Sequence, residues 1–426
     1  MNNTLHDLRE TLDRHAADVH DETAAARVAA VAGRARVVRR RRAAGVGAAA
    51  VLAAAAALAV PTLTSDRTPQ PANRTVLGSA APESLTSLGW TYHFAGSAED
   101  TDQDRLRFGI ERRQAPQLLT WTTAGEDQRV VVRTDDGERT VSGAADFTDF
   151  VWLRPGYEGD VTVRAEGPGV GIALYQLGDE RPEGITVDGI TFRQQVADQT
   201  LIDGVIGDVG DTDVSLEFTV PDGGLRISEL CTGVPTGYWV NVEVEDRGPL
   251  SIGGCSETPP IDAGSADATS YDPGDFPAGE KVTARTWVSR RVEGPAVELP
   301  GARLGVAAYV VAEPAGRVAG HDAPTLVEYD GHLWEYDGQL TREPGTPVLE
   351  YTNTDGVPQL VQSMYSGAGD RQVDTTWNGG RDVALTGTGN GVSTFRLQPG
   401  SRARMVVEVP VPDGVRLGFA FYGRFD

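Results

Sequence analysis

Two cysteines are the first residues whose type and spacing predict chemistry. Cys231 and Cys255 are the only cysteines of the 426-residue chain and lie 24 positions apart. In an exported body a disulfide is the expected state, and closing such a loop contributes about 3 kcal/mol in the chain-entropy account. A two-cysteine metal site is the alternative, but no histidine is near either residue in sequence. We therefore predict a Cys231–Cys255 disulfide and no metal there.

Clustered aspartates in two turn-like segments could bind calcium, which prefers oxygen ligands. One group lies in DVGDTD and the other in an insertion: Asp208, Asp211 and Asp213, then Asp262, Asp267, Asp272 and Asp275. Neither group has the spacing of an EF-hand with its terminal glutamate. Solvated turns are the favoured interpretation, so we predict no cofactor, with calcium as the alternative.

Sequence motifs of the common catalytic mechanisms are absent. The sequence has no Gly-x-Ser-x-Gly turn, no serine three residues before its single lysine, Lys281, and no His-Glu-x-x-His, Walker or dinucleotide-binding glycine pattern. A glycosidase-like pair of carboxylates leaves no local pattern and stays open. The sequence therefore predicts a protein without catalysis, and an envelope hydrolase acting through the middle domain is the alternative.

Charge divides the chain into two unlike parts. Residues 1–42 hold nine arginines and six acidic residues, and the whole chain has a net charge of −23. The first 42 residues contribute +3, so the remainder carries −26. An acidic body of this kind repels phosphate backbones, so we expect no nucleic-acid partner.

An uncharged, alanine-rich stretch follows the arginines. Residues 43–60, AAGVGAAAVLAAAAALAV, would span about 27 Å as a helix, close to the roughly 30 Å of a bilayer's hydrocarbon core. Four arginines, 39–42, adjoin its start. The positive-inside rule therefore predicts a single-pass transmembrane helix, with residues 1–42 in the cytoplasm and the C-terminal body extracellular. A buried soluble helix and a cleaved signal peptide are the alternatives, although the charged leader is longer than the usual n-region.

The cytoplasmic leader has a short apolar stripe at helical spacing, formed by Leu5, Leu8, Leu12 and Val19. A helix that docks a partner, as in a transmembrane regulator, would produce this pattern. A solubilising leader without a stable fold is the competing and slightly favoured interpretation. Residues 61–86 are rich in Pro, Ser, Thr and Ala, which predicts an extended linker.

Two short phrases recur three times along the body. The first is a proline close to a glycine between two alternating segments, with the prolines at Pro155, Pro277 and Pro399. The second is a run of Gly, apolar residue, Ala, apolar residue and Tyr, which ends at Tyr175, Tyr309 and Tyr422. The first phrase predicts a repeated hairpin, and the second predicts a buried last strand with alanine where the facing sheet approaches.

Short alternating segments separated by Gly, Asp and Asn turns fill the rest of the body, and Gly (51) and Pro (25) are abundant. This pattern predicts an all-β fold of three tandem antiparallel β-sandwich domains, jelly-roll or Ig-like, after the N-terminal transmembrane helix. We expect the domains at 87–185, 186–320 and 321–426.

An Arg-rich leader, an Ala-rich span, a Pro/Ser/Thr linker and a secreted β-rich body together resemble the uncharacterised single-pass envelope proteins of actinobacteria. The resemblance covers the layout of the whole chain and implies location in the cell envelope. We therefore expect a membrane-anchored extracellular array without catalysis. It would bind a cell-wall glycan, another envelope polymer or a surface protein, or serve as a spacer or sensor, and the lipid bilayer would be its partner through residues 43–60.

Overall fold

A computed structural model describes residues 74–425, with gaps at 126–129, 135–136, 142–146, 148, 246, 248–249, 253–254, 256–260, 265–267 and 378–381. The predicted leader (1–42), transmembrane helix (43–60) and the first part of the linker lie outside the described residues. The described part is built from strands and turns, and it contains no helix long and apolar enough to cross a bilayer. Its strands fall into three repeated groups of antiparallel sheets.

The first group, sandwich 1, follows a small hairpin. Its strands are β1 (Thr75–Val76), β2 (Ser79–Ala80), β3 (Ser84–Ser87), β4 (Trp90–Asp100), β5 (Arg105–Ile110), β6 (Gln117–Thr123), β7 (Val130–Thr134), β8 (Gly137–Val141), β9 (Phe150–Leu153), β10 (Gly159–Ala165) and β11 (Val170–Leu177). The hairpin is β1-β2, and the two sheets have the orders β3-β4-β11-β6-β9 and β5-β10-β7-β8.

The second group, sandwich 2, repeats this plan. Its strands are β12 (Gly184–Val187), β13 (Ile190–Arg193), β14 (Gln195–Val196), β15 (Gln199–Ile206), β16 (Asp213–Thr219), β17 (Gly224–Thr232), β18 (Trp239–Val244), β19 (Leu250–Ile252), β20 (Ala268–Tyr271), β21 (Lys281–Ser289) and β22 (Arg303–Val311). Hairpin β12-β13 precedes sheets of order β14-β15-β22-β17-β20 and β16-β21-β18-β19.

The third group, sandwich 3, has the same order of strands. They are β23 (Gly316–Val318), β24 (His321–Ala323), β25 (Leu326–Tyr329), β26 (His332–Thr341), β27 (Val348–Thr352), β28 (Gln359–Ser366), β29 (Val373–Trp377), β30 (Asp382–Gly387), β31 (Gly391–Leu397), β32 (Arg402–Val407) and β33 (Arg416–Arg424). Hairpin β23-β24 precedes sheets of order β25-β26-β33-β28-β31 and β27-β32-β29-β30.

Each sandwich has apolar clusters on both sides of its five-stranded sheet. One cluster fills the space between the two sheets, as with Trp121 and Val163 in sandwich 1. The other covers the outer side of the five-stranded sheet and includes the preceding hairpin, through Val76 in sandwich 1, Phe192 in sandwich 2 and Val318 in sandwich 3. The hairpins therefore act as lids that bury the second face of a sheet whose central strand is buried over most of its length.

In sandwiches 1 and 3, the glycine of the second repeated phrase makes room for the lid. A Cβ on Gly171 would lie 2.3 Å from Cγ1 of Val76, and a Cβ on Gly418 would lie 2.3 Å from Cγ1 of Val318. The alanine two positions later, such as Ala173, is fully buried in the lid cluster as well. The expectation that a facing sheet requires this alanine is therefore corrected, because the small residue faces the lid.

The first repeated phrase forms a turn between sheets and not a hairpin. The turns after Pro155 and Pro399 connect β9 to β10 and β31 to β32, and each pair divides between the two sheets of its sandwich. Gly156, Gly279 and Gly400 have φ angles of 78°, 81° and 74°, the left-handed region that the third residue of a type II turn requires. The sequence pattern predicts a tight turn correctly, but it contains nothing that specifies whether the flanking strands pair.

Among the described residues, sheet structure begins at Thr75, because β1, β2 and three of the four residues of β3 lie within the segment 61–86. Short strands rich in Ser and Thr lack the alternating apolar pattern by which strands are predicted from a sequence.

The disulfide between Cys231 and Cys255 is present, with Cα atoms 5.4 Å apart. Cys231 lies on β17 of the five-stranded sheet, and Cys255 follows β19 of the four-stranded sheet. Both side chains pack against an apolar cluster between these sheets. The bond therefore links the two layers of sandwich 2.

Candidate functional site

The three sandwiches meet at a common junction. The Ser87 hydroxyl at the end of β3 donates to the Gly331 carbonyl in the β25-β26 turn, at 2.6 Å. The backbone N–H of Ala197, in the β14-β15 turn, donates to Glu328 Oε1 on β25 at 2.7 Å. Because these turns occupy corresponding positions in the three repeats, the same hairpin of each sandwich contributes to the junction.

Arg193, the last residue of β13, is the centre of this junction. Its side chain is 3 % exposed and donates to groups from all three sandwiches. Nη1 and Nη2 bind the two carboxylate oxygens of Glu328 at 3.0 and 2.6 Å, and Nε binds Asp262 Oδ2 at 2.7 Å. Nη1 also donates to the Leu88 carbonyl at 3.1 Å. One guanidinium therefore connects sandwich 2 to both of its neighbours.

Electrostatics hold this guanidinium charged. Burial lowers the pKa of Arg193, but hydrogen bonds and charges from Glu328 and Asp262 outweigh that effect and the net shift of its pKa is upward. A bidentate arginine–carboxylate pair is the strongest common form of charge-assisted hydrogen bond. The junction is thus fixed by a buried ion triad that leaves little freedom to its three side chains.

A second set of contacts joins sandwich 1 to sandwich 3. The His332 ring stacks on Phe150 with centroids 4.0 Å apart, and its Nε2 lies 3.3 Å from the Phe150 carbonyl. Asp149 accepts a hydrogen bond from Arg424 Nη1 at 2.5 Å and lies 3.8 Å from His332 Nε2. His332 is therefore a packing residue of the interface between sandwiches 1 and 3. The nearby histidine in sequence, His321, does not join these contacts, because its Nε2 lies 2.8 Å from the Tyr365 carbonyl oxygen.

A cleft of about 310 Å³ opens beside the ion triad. We call it the junction cleft. Its lining comes from all three sandwiches: Ser87, Leu88, Trp90, Tyr92, Pro116, Trp152 and Pro155 of sandwich 1, Ile261 and Asp262 of sandwich 2, and Glu328, Tyr329, Asp330 and Gly331 of sandwich 3. Aromatic, proline and aliphatic side chains form most of the wall, and three carboxylates and one serine supply the polar side chains. Clefts of this size with few polar groups are typical small-ligand sites.

Hydrogen bonding orients the aromatic wall. The half-buried Trp152 side chain hydrogen-bonds with the buried Tyr92 hydroxyl. Burial raises the pKa of Tyr92 to about 12, so the phenol stays neutral and able to donate at physiological pH. The Arg181 guanidinium lies 5.9 Å from the Trp90 ring centroid. The indole of Trp152 is thus held in position, with part of its surface accessible.

The aspartates considered for calcium make other contacts. Asp213 binds Arg285 with both oxygens, at 2.8 and 2.6 Å. Asp211 Oδ2 accepts from the Asp208 N–H at 2.8 Å, within the loop between β15 and β16. Asp262 belongs to the Arg193 triad, and Asp267 lies outside the described residues. Within the described ranges, no group of three or more metal-ligating side chains is found.

The repeated tyrosines occupy corresponding positions on β11, β22 and β33 and are fully buried on the lid side. Tyr175 donates to the Pro82 carbonyl at 3.0 Å, and Tyr422 donates to Gln362 Oε1 at 2.7 Å. The prolines Pro277 and Pro399 lie in turns, and Pro155 is the one repeat landmark that also lines the junction cleft. The repeated tyrosines therefore pack beneath the lids, and the repeated prolines form turns between strands.

Arg193, Glu328 and Trp152 form the site, and none of the three is predicted as a site residue from the sequence. Arg193 and Glu328 belong to no motif, and 135 positions separate them. The sequence offers one indirect indication of Arg193. This arginine ends the short strand β13, and the other residues of that strand are buried. A charged residue in such a strand requires a buried partner.

Comparisons with known proteins do not identify a family. No family model and no curated protein matches the chain. Among solved structures, the CUB1-EGF-CUB2 domain of human MASP-1/3 matches 51 % of this chain and 98 % of its own length, at 13 % identity and TM-score 0.16. The arabinofuranosyltransferase AftD from Mycobacteria matches 82 % of this chain and 34 % of its own, at 14 % and 0.15. The lipid-containing bacteriophage PM2 matches 78 % and 87 %, at 10 % and 0.13. Similarity at this level supports no functional argument.

Proposed function

We propose that this chain is a non-catalytic binding protein of the cell envelope, and that its junction cleft binds a segment of wall glycan. The observation that carries the proposal is the half-buried Trp152 in a cleft of about 310 Å³ whose walls come from three sandwiches. Sugar rings present C–H faces that pack on aromatic rings, and the nearby carboxylates accept hydrogen bonds from sugar hydroxyls.

The arrangement of the carboxylates supports binding over hydrolysis. Asp262 and Glu328 both line the junction cleft, and both bind Arg193. A glycosidase needs one carboxyl group that donates a proton to the leaving oxygen. In the junction cleft both groups act as acceptors for one guanidinium, so we propose that they stiffen the cleft.

Membrane anchoring remains part of the proposal. The alanine-rich stretch at 43–60 and the arginines before it support a single-pass anchor, and the disulfide of sandwich 2 suits an oxidising compartment outside the cell. Deleting residues 43–60 is expected to move the protein from the membrane fraction to the soluble fraction of lysed cells. Unchanged membrane association would contradict the anchor.

Calorimetric titration of the full chain in detergent with soluble oligosaccharides from enzymatic digests of bacterial cell wall tests the binding function. Trp152→Ala is expected to weaken binding at least about fivefold, if a sugar ring stacks on the indole with an energy like the roughly 1–3 kcal/mol of a nucleobase on an aromatic ring. Trp239→Ala is the control, because Trp239 is 36 % exposed on sandwich 2 and does not line the cleft.

Two outcomes would overturn the proposal. Equal weakening by Trp239→Ala, or no binding of any oligosaccharide, would remove the cleft as a glycan site. Shortened oligosaccharides in the mass spectrum after incubation would instead favour the envelope hydrolase. Far-ultraviolet circular dichroism of both variants separates lost binding from lost folding.

A further inference from the structure

The outer face of the four-stranded sheet in sandwich 1 carries four arginines. Arg105 and Arg107 lie on β5, Arg164 on β10 and Arg133 on β7, and all four are exposed. The register places Thr162 of β10 between Arg107 and Arg133, and it places Arg164 directly opposite Arg105. Facing residues on adjacent strands are about 5 Å apart, so these guanidinium groups reach a common space.

Only part of this positive charge is neutralised. Asp160 binds Arg107, and Asp104 lies 3.3 Å from Arg164 Nε. Among the described residues, no ion pair is found for Arg105 or Arg133. Their neighbours on this face are Thr162 and, at the register position opposite Arg133, Glu138 of β8.

The corresponding faces of the other two sandwiches lack this excess. On sandwich 3, Arg402 and Arg404 both bind Glu350, and Asp374 lies on the neighbouring strand β29. On sandwich 2, Lys281 binds Glu217 and Arg285 binds Asp213, with Glu243 in register with Arg285. Counted in the same way, sandwich 1 has four arginines against three carboxylates (Asp104, Asp160 and, by register, Glu138), whereas sandwich 2 has two cations against three carboxylates and sandwich 3 has two against two.

The arginines surround a groove of about 310 Å³, lined by Arg105, Arg107, Arg133, Thr134, Asp160 and Thr162. Arginine presents a planar fork of donors that matches phosphate oxygens, and threonine adds a hydroxyl donor. The whole chain has a net charge of −23, so a long polyanion would extend beyond the groove onto repelling surface. A compact anion avoids this repulsion, because charges beyond about 10 Å are screened at 0.1 M salt.

We propose that this groove is a binding site for a single phosphate or pyrophosphate group, carried by a soluble metabolite or by a lipid headgroup. The site is independent of the junction cleft, since the two share no lining residue. Phosphate chemistry alone defines the ligand, and the carrier is decided by the experiment.

Isothermal titration of the full chain in detergent with inorganic pyrophosphate, at low and at physiological salt, measures the site. The double variant Arg105→Gln with Arg133→Gln removes the two arginines without an acidic partner among the described residues and is expected to weaken binding at least about tenfold. The matched control, Arg402→Gln with Arg404→Gln, removes the same charge from the corresponding face of sandwich 3. It is expected to leave binding within about twofold, because neither of those arginines lines the groove.

Soluble short-chain phosphatidylglycerol forms the second arm of the titration. Binding of this lipid with the same dependence on Arg105 and Arg133 would identify a headgroup as the carrier, whereas binding of pyrophosphate alone would identify a soluble ligand. The proposal is overturned if neither probe binds, or if the sandwich 3 control weakens binding as much as the sandwich 1 variant. Failure here leaves the glycan proposal intact, because that experiment depends on Trp152.

Discussion

The junction and the outer four-stranded faces both use arginine–carboxylate pairs, but in opposite environments. At the junction, Arg193 is 3 % exposed and binds carboxylates that are 14 % and 13 % exposed. On the outer face of sandwich 2, Arg285 is 42 % exposed and Asp213 is 40 % exposed. A buried charge that loses its partner is costly, whereas an exposed charge is solvated by water. The junction charges therefore hold the sandwiches together, and the outer charges are free to differ from one repeat to the next.

Removing the central cation tests this contrast with the largest expected effect. Arg193→Met leaves Asp262 and Glu328 buried without their partner and is expected to lower the free energy of unfolding by about 3–5 kcal/mol. Urea denaturation followed by circular dichroism measures the loss. The loosened junction is also expected to weaken glycan binding in the junction cleft.

The outer-face counterpart is Arg285→Met, which removes an exposed pair. Its cost is expected to stay below about 1 kcal/mol. Equal losses for the two variants would show that burial does not distinguish the two regions.

Packing between lid and sheet supplies the next largest effect. In Gly418→Ala the new methyl group would lie 2.3 Å from Cγ1 of Val318, and the expected destabilisation is about 1–3 kcal/mol. Gly423→Ala on the same strand is the control, since its Cβ has no neighbour within 4 Å. Adding Val318→Ala to Gly418→Ala is expected to recover part of the loss, and no recovery would argue against the lid contact.

A pH dependence at the edge of the junction is the smallest predicted effect. Burial raises the pKa of Asp198, although the backbone N–H groups of Thr325 and Leu326 act in the opposite direction. A carboxyl group with a raised folded-state pKa contributes stability below its unfolded pKa of about 4 and loses it as the pH rises. Asp198→Asn removes this titration.

Chemical denaturation at pH 4 and pH 7 compares the two proteins. We expect the wild type to lose stability relative to Asp198→Asn as the pH rises between these values. The opposite sign would mean that hydrogen bonds to the charged carboxylate outweigh its burial.

Most of the fold class could be predicted from the sequence, because it depends on local patterns. Alternating strands, frequent turns and the recurrence of Tyr175, Tyr309 and Tyr422 depend on residues near one another in the chain, and three repeated antiparallel sheet groups follow. The lid hairpins were missed because they are short. The partners of β9 and β10 were missed because a tight turn is compatible with pairing and with a change of sheet.

The junction could not be predicted from the sequence, because its contacts join residues that are far apart in the chain. Leu88, Arg193 and Glu328 come from three separate repeats, and only the packing of the repeats brings them together. Their residue types carry no motif, and a single sequence gives no other link between positions so far apart. The disulfide could be predicted, because two cysteines allow only one pairing.

A double-mutant cycle across Arg193 and Glu328 tests the closed junction most directly. Unfolding free energies of the wild type, Arg193→Met, Glu328→Gln and the double variant give the coupling between sandwiches 2 and 3. For a buried bidentate pair we expect a coupling of at least about 1.5 kcal/mol. Additivity within about 0.5 kcal/mol would contradict the account, because it would mean that the two sandwiches do not meet through this ion pair.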